Sequence, residues 1–223
     1  MRKKYLIGII SILLSLGFTG CSKSDPEKNY KEVKSAYDNT IKFNKKYERL
    51  SINQPDGENH ITYRDVDQSI DRTDIYDPYG NISSRTILDI KNGNIIGFMR
   101  DANNEMVGFR EEFSDIINKE NEKDLGKSLI NSTLENTVHF NDKLIFNEKS
   151  TKGKDIIYTS KNLTVTINKS KNIISNTIVK NDDGSTYEYK LEILDKLEKN
   201  DLDISASNKS KFDFTKVKIN NFK

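Results

Sequence analysis

The sequence predicts an α+β fold, in which an antiparallel β-sheet carries an N-terminal helix near residues 26–49 and a central helical insert near residues 111–136. Two observations predict the sheet and the helices. Short apolar runs recur at a spacing of roughly ten residues and are separated by Gly, Pro, Asn and Asp, which is typical of an antiparallel meander. An amphipathic stretch with a period of 3.6 residues precedes these runs, and a charged stretch with helical spacing interrupts them.

The N-terminal stretch has the layout of an export signal. Residues 2–4 are basic, residues 6–18 form an uncharged and mostly apolar run, and small residues follow at positions 19 and 20. Signals of this kind have a basic n-region, a short apolar h-region and a small-residue cleavage site. The apolar run is shorter than the roughly 20 residues that a membrane span needs. We therefore expect residues 1–20 to be a signal peptide.

Cys21 is the only cysteine, so the chain offers no partner for an internal disulfide. The tetrapeptide "FTGC" ends at this residue and resembles the lipobox of bacterial lipoproteins, with Thr19 and Gly20 as its small residues. Phe18 departs from that pattern, which favours Leu. The resemblance implies that diacylglycerol with acyl chains such as palmitate is attached to the Cys21 sulfur, and that cleavage occurs before Cys21. Residues 21–25 are then a short lipidated tether.

Lipid attachment predicts an extracytoplasmic protein. Two acyl chains anchor a protein stably, whereas one does so only marginally. The expected location is the outer surface of the cell membrane, or the outer membrane of a cell with two membranes. Without residues 1–20 the chain has 33 Lys and Arg against 34 Asp and Glu, so no basic excess indicates nucleic-acid binding. The length of residues 26–223 predicts a single β-rich domain.

The predicted N-terminal helix begins with Asp25 as its cap and Pro26 at its first position. Its apolar stripe has helical spacing and is expected to pack on the sheet, although contact with a ligand is an alternative for its tyrosines. The stripe comprises Tyr30, Val33, Tyr37, Ile41 and Tyr47. The insert is interpreted as one or two helices split near residues 121–124, the second capped by Asp124.

Several segments predict particular strands and turns. Asn92-Gly93 is the strongest short signal for a hairpin. Residues 163–167 alternate, so that Leu163, Val165 and Ile167 point to one face of a sheet. Residues 187–193 alternate in the same way, with Tyr, Leu and Ile opposite Glu and Lys. These strands are expected to have one apolar face and one wet face.

The C-terminal half, "LTVTINKSKNIISNTIVKNDDGSTYEYKLEIL" followed by "KFDF", resembles the periplasmic lipoprotein-carrier family (LolA-like) and its LppX-like lipoprotein relatives. Asp183-Gly184 matches the turn of that pattern, and Phe214 matches its late Phe. The resemblance implies a strongly curved, unclosed half-barrel sheet with helices on its concave side, where the family holds acyl chains. No individual binding residue is carried over from the family.

Catalytic and metal-binding motifs are not found in the sequence. His60 and His139 stand outside any motif and are interpreted as structural or exposed. A string of five acids lacks the spacing of a calcium loop and is interpreted as the solvent face of a strand. The five are Asp65, Asp67, Asp71, Asp74 and Asp77. We expect a protein that is not an enzyme and has no cofactor or metal; the alternative is a hydrolase whose carboxylates meet only in space and are not visible in the sequence.

Two functions remain for such a chain. The first is a membrane-anchored lipoprotein that binds a hydrophobic ligand, lipid or acyl chain in a curved sheet. The alternative is a protein-interaction lipoprotein for immunity, adhesion or envelope assembly, with a filled core and an apolar surface patch for an envelope protein.

Overall fold

The computed structural model describes residues 25–112, 128–141, 143–198, 200–204, 217 and 219–221. These ranges contain two helices, α1 (Pro26–Lys42) and α2 (Leu129–Thr137). Neither helix is long and apolar enough to cross a membrane. The same ranges contain twelve strands: β1 (Tyr47–Asn53), β2 (Asn59–Asp65), β3 (Ile70–Tyr76), β4 (Ile82–Asp89), β5 (Asn94–Arg100), β6 (Met106–Glu112), β7 (Glu148–Lys152), β8 (Asp155–Thr159), β9 (Leu163–Asn168), β10 (Ile173–Lys180), β11 (Thr186–Leu194) and β12 (Ile219–Asn221).

The strands form one sheet in the order β12-β6-β5-β4-β3-β2-β1-β11-β10-β9-β8-β7. Two antiparallel meanders, β1–β6 and β7–β11, meet where β1 pairs with β11, with Leu50 opposite Leu191. Only β12 runs parallel to its neighbour, β6. The α+β prediction of a curved, unclosed antiparallel sheet with an N-terminal and a central helix is confirmed.

The N-terminal helix begins as predicted and ends early. The Asp25 carboxylate caps it by accepting a hydrogen bond of 3.1 Å from the Lys28 N–H. The helix ends at Lys42, where Phe43 adopts an extended conformation, so the predicted end near residue 49 is wrong. Tyr47 belongs to β1 instead, because residues 47–53 pair with strands on both sides. Hydrogen bonding to strands on both sides favours the strand conformation of these residues over the helix that the sequence periodicity predicts.

The central insert contains less described helix than predicted. Residues 111 and 112 belong to β6, so the predicted helical start at 111 is wrong, and residues 113–127, with the predicted cap Asp124, lie outside the described residues. Helix α2 begins after Ser128, whose side chain accepts a hydrogen bond from Asn131 N. The Glu48 carboxylate, fully buried on β1, accepts hydrogen bonds from Ser128 Oγ and from Leu129 N, the latter at 2.7 Å.

Glu48 should give the protein a specific pH dependence. Burial raises its pKa above the ordinary value of 4.5, against the hydrogen bonds from Ser128 and Leu129. The folded state therefore holds this proton more tightly than the unfolded chain does, and the free energy of unfolding falls as pH rises from 4.5 through the folded-state pKa. We expect Glu48→Gln to remove that fall in urea denaturation measured across pH. The exposed Glu105→Gln is the control, and identical profiles for Glu48→Gln and wild type would contradict the assignment.

The main core lies between the helices and one half of the sheet. Helix α1 packs on β9 and β10, and α2 packs on β1 and α1. The predicted apolar faces contribute to this core through Leu163, Val165 and Ile167 of β9 and through Tyr189, Leu191 and Ile193 of β11. The buried members are Val33, Ala36, Leu50, Ile130, Leu134, Val138, Phe146, Tyr158, Leu163, Val165, Ile167, Ile174 and Leu191.

On β3 and β4, the face of the sheet that points away from the helices is covered by the segment that follows β11. Asp74 on β3 is 1% exposed and lies between the fully buried guanidinium groups of Arg72 and Arg85. Arg72 Nη1 also donates to the carbonyls of Asn200 and Asp203, at 2.5 and 3.2 Å. These hydrogen bonds hold residues 200–204 on the sheet. We call this segment the C-terminal strap.

The interpretation of the acidic string as a solvent face is therefore wrong for most of its members. Asp65, Asp71 and Asp74 are buried, and Asp71 forms an ion pair with the buried Arg64. Only Asp67 and Asp77 lie at more accessible positions. Burial of Asp74 was not expected because its cover comes from a segment distant in sequence, and burial of Asp71 was not expected because its partner, Arg64, lies on the neighbouring strand.

Candidate ligand-binding cleft at one end of the sheet

An open cleft of about 530 Å³ lies where α2 ends and the β8–β9 turn begins. We call it the α2 cleft. Its wall is formed by residues 139, 141, 143–145 and 147, and its other side is the turn of residues 160–162 together with the end of β10. Its volume falls within the range of roughly 300–1,000 Å³ that small-molecule sites occupy.

The floor of the α2 cleft is apolar and continuous with the main core. Leu163 belongs to the core, and Val179 and Leu144 pack against it. Ile145 also lines the cleft and is 48% exposed. The cleft thus offers exposed apolar surface to a ligand.

The rim of the α2 cleft is basic. Lys143, Lys161 and Lys180 line it with His139, and no Asp or Glu is among its described lining residues. In the part of the chain that the structure describes, no carboxylate forms an ion pair with any of these three lysines. Asp142, beside Lys143 in sequence, lies outside the described residues.

Backbone hydrogen bonds place the rim lysines. The Lys180 N–H donates to the Asn162 carbonyl at 2.8 Å, which brings the end of β10 against the turn that carries Lys161. On the opposite wall, the Asn141 side chain accepts from Lys143 N at 3.0 Å. The Asn141 carbonyl accepts from Leu144 N at 3.0 Å. The three cations therefore come from three separate segments of the chain.

The wall of the α2 cleft is tied to the start of α1. Phe146, between two lining residues, is fully buried, and its carbonyl accepts a hydrogen bond of 2.9 Å from Asn29 Nδ2 in the first turns of α1. The other end of α1 lies at the far end of the sheet, where Thr40 Oγ1 accepts from Ile174 N at 2.9 Å. The cleft is thus at the same end of the sheet as the N-terminal end of α1.

A second groove, of about 450 Å³, runs between α1 and the edge of the sheet. Lys28, Lys31 and Lys169 line it, but it also contains the Glu32 carboxylate. Burial raises the pKa of Glu32, but hydrogen bonds from Lys149 and Tyr158 outweigh it, so the pKa is lowered. Because this groove has an internal negative charge, it is less suited to an anion than the α2 cleft.

The predicted site residues have separate surroundings. Cys21 and Phe214 lie outside the described residues. His60 lies on β2 beside Gln54 and Glu58, and His139 lines the α2 cleft. In the described ranges no group of three His, Cys, Asp or Glu could hold a metal ion. No local sequence pattern unites positions 143, 161 and 180, so the three lysines were not predicted as a site.

No protein-family model matches the sequence, and no curated protein matches it. A similar solved structure is an uncharacterized conserved protein from Thermus thermophilus, with a TM-score of 0.39 at 7% identity over 87% of this chain and 99% of that one. A structure of PNGF-II aligns with a TM-score of 0.26 at 12% identity, over 79% of this chain and 30% of that one. Neither similarity is strong enough to carry an argument about function.

Proposed function

We propose that the chain is an extracytoplasmic lipoprotein, anchored to a membrane through Cys21, that binds an acyl-chain ligand in the α2 cleft without catalysing a reaction. The observation that carries this proposal is the exposed apolar floor of the cleft, with Ile145 48% exposed beside core residues. Removing apolar surface from water stabilises a bound acyl chain by roughly 25 cal/mol for each Å² buried.

The position of the ligand differs from the one that the carrier resemblance implies. In the described part of the chain, apolar side chains pack between the helices and the sheet, and six of them, including Phe146, have no exposed surface. The α2 cleft lies at the end of this filled core. The proposal therefore assigns the ligand to the mouth of the half-barrel rather than to its interior.

A binding role is also consistent with the buried acids. Glu48 and Asp74 are the two most buried acids of the described residues, and both have shifted pKa values. Each has a structural partner, the start of α2 for Glu48 and two arginines for Asp74. Their shifts are thus explained without a catalytic role.

The test supplies a photoreactive, alkyne-tagged fatty acid to bacterial cells that express the full chain. We expect label on Cys21 without illumination, as part of the anchor, and illumination-dependent label in residues 139–147 or 160–163, located by mass spectrometry. Cys21→Ala should leave the chain unprocessed and without the first label. Normal lipid labelling of that variant would overturn the anchor.

The cleft has a matched pair of variants. Ile145 and Met99 are both 48% exposed, but Met99 lies on β5 and is not part of the cleft lining. We expect Ile145→Asn to lower the illumination-dependent label roughly tenfold, the effect of losing one apolar contact area, and Met99→Asn to leave it unchanged. Illumination-dependent label that avoids both cleft segments would reject acyl binding at this site.

A protein-interaction lipoprotein is the second candidate, and the filled core favours it. Such a protein needs no ligand space inside the sheet and binds its partner through its surface. Crosslinking in the membranes of the labelled cells distinguishes the protein-interaction function from acyl-chain binding. An envelope protein crosslinked through Ile145, with no acyl label there, would favour this second function.

A further inference from the structure

We infer that the ligand of the α2 cleft is an anionic amphiphile, with its acyl chain on the apolar floor and its negatively charged head group between Lys143, Lys161 and Lys180. This inference rests on the proposed function, since it names the chemical class of the same ligand. A fatty acid and an acidic phospholipid share this chemistry.

The charge pattern of the α2 cleft carries the inference. Three ammonium groups come from separate segments to one rim, and no described carboxylate pairs with them. Like charges that share a rim repel one another, and an anion between them relieves that repulsion. Some other described lysines have acidic partners, as in Lys34 with Asp38 and Lys149 with Glu32, whereas others, such as Lys152, form no ion pair with a described residue and do not line the cleft. The rim lysines without an acidic partner thus coincide with the apolar floor.

The position of the cleft relative to the expected anchor gives a source for the ligand. Asn29, in the first turns of α1, holds the carbonyl of Phe146 in the cleft wall. Asp25, the cap of α1, follows Cys21 by four positions, and an extended tether of that length spans about 14 Å. A diacylglyceryl group on Cys21 would therefore hold the start of α1 close to the bilayer. The lysine rim would lie at the same end, within reach of anionic lipids.

The experiment compares two probes on the purified, lipidated full chain in nonionic detergent. One is a photoreactive fatty acid, and the other is its methyl ester, which has the same chain and no charge. We expect the acid to label the cleft segments roughly tenfold more than the ester, as three exposed ion pairs allow. A triple variant with Lys143→Gln, Lys161→Gln and Lys180→Gln should lower the acid label to the ester level and leave the ester label unchanged.

The control is a triple variant with Lys152→Gln, Lys154→Gln and Lys171→Gln. These lysines are also exposed but lie at the turns of the opposite end of the sheet. The control should keep wild-type preference for the acid, and an equal loss of preference in both triple variants would overturn the inference. Equal labelling of wild type by acid and ester would also overturn it while leaving acyl binding intact. Labelling by neither probe would reject the proposed function itself.

Vesicles separate the two sources of the anion. Photoreactive phosphatidylglycerol and phosphatidylcholine with identical acyl chains are presented to the anchored chain in separate vesicles. Label from phosphatidylglycerol alone assigns the site to an acidic phospholipid. Label from neither lipid, together with label from the fatty acid, assigns it to a free carboxylate. Equal label from both lipids contradicts charge recognition.

Discussion

Asp74→Asn should destabilise the protein by about 3–5 kcal/mol, the cost of leaving a buried charge without its partner. Arg72 Nη2 and Arg85 Nε donate to the Asp74 carboxylate at 2.6 and 2.8 Å, and both arginines are fully buried. An amide has no charge to balance the two guanidinium groups. Urea denaturation should show the loss as a lower midpoint, and the exposed Asp182→Asn is the control. A loss below about 1 kcal/mol would show that this cluster does not carry the stability assigned to it.

A second substitution and the pH profile sharpen this test. Adding Arg85→Met to Asp74→Asn removes one unpaired cation, so the double variant should recover part of the lost stability. Burial raises the pKa of Asp74, but the hydrogen bonds and charges of the arginines outweigh it and hold the pKa below its ordinary value of 3.8. The contribution of Asp74 is therefore present above pH 3.8 and is lost as pH falls through the folded-state pKa. Asp74→Asn should lack this loss.

Phe146→Ala should have the second large effect, a destabilisation of about 3–5 kcal/mol. Its ring is fully buried and meets the Tyr158 ring edge-on, with centroids 6.2 Å apart. Because Phe146 lies between the lining residues Ile145 and Asn147, its loss would also disturb the wall of the α2 cleft. Urea denaturation measures the loss, and Phe43→Ala is the matched control, since Phe43 is 42% exposed. Equal effects of the two substitutions would contradict the assigned core role of Phe146.

The regular part of the fold was predictable because its signals are local. The alternation of Leu163, Val165 and Ile167 indicates one buried face, and the structure buries all three. Turns such as Asn92-Gly93 follow from backbone preferences of two residues. The cap at Asp25 is similarly local, since its partner is three residues away. Each of these features depends on neighbours in sequence.

The features that were missed depend on distant partners. Tyr47 fits a helical stripe, but strand pairing with residues as distant as Leu194 decides its conformation. The sequence around Asp74 suggests a solvated position because its cover, the C-terminal strap, follows more than a hundred residues later. The α2 cleft needs lysines from three segments that only the sheet brings together. In each of these contacts the partners are too far apart in sequence for a local pattern to reveal them.

The pairing of β1 with β11 has a consequence for how the chain folds. Each meander can form through hairpins of neighbouring strands, but the seam between them joins Tyr47 to Leu194 and encloses most of the described chain. Closing so long a loop is slow, because its entropic cost precedes any gain from contacts. Until this pairing forms, β1 and β11 are unpaired edge strands of two partly formed sheets. A neighbouring copy of the chain could pair with either of them by mistake. Under the proposed lipid anchor such copies would be confined to one surface, so prompt closure of the seam would protect the protein from misassembly.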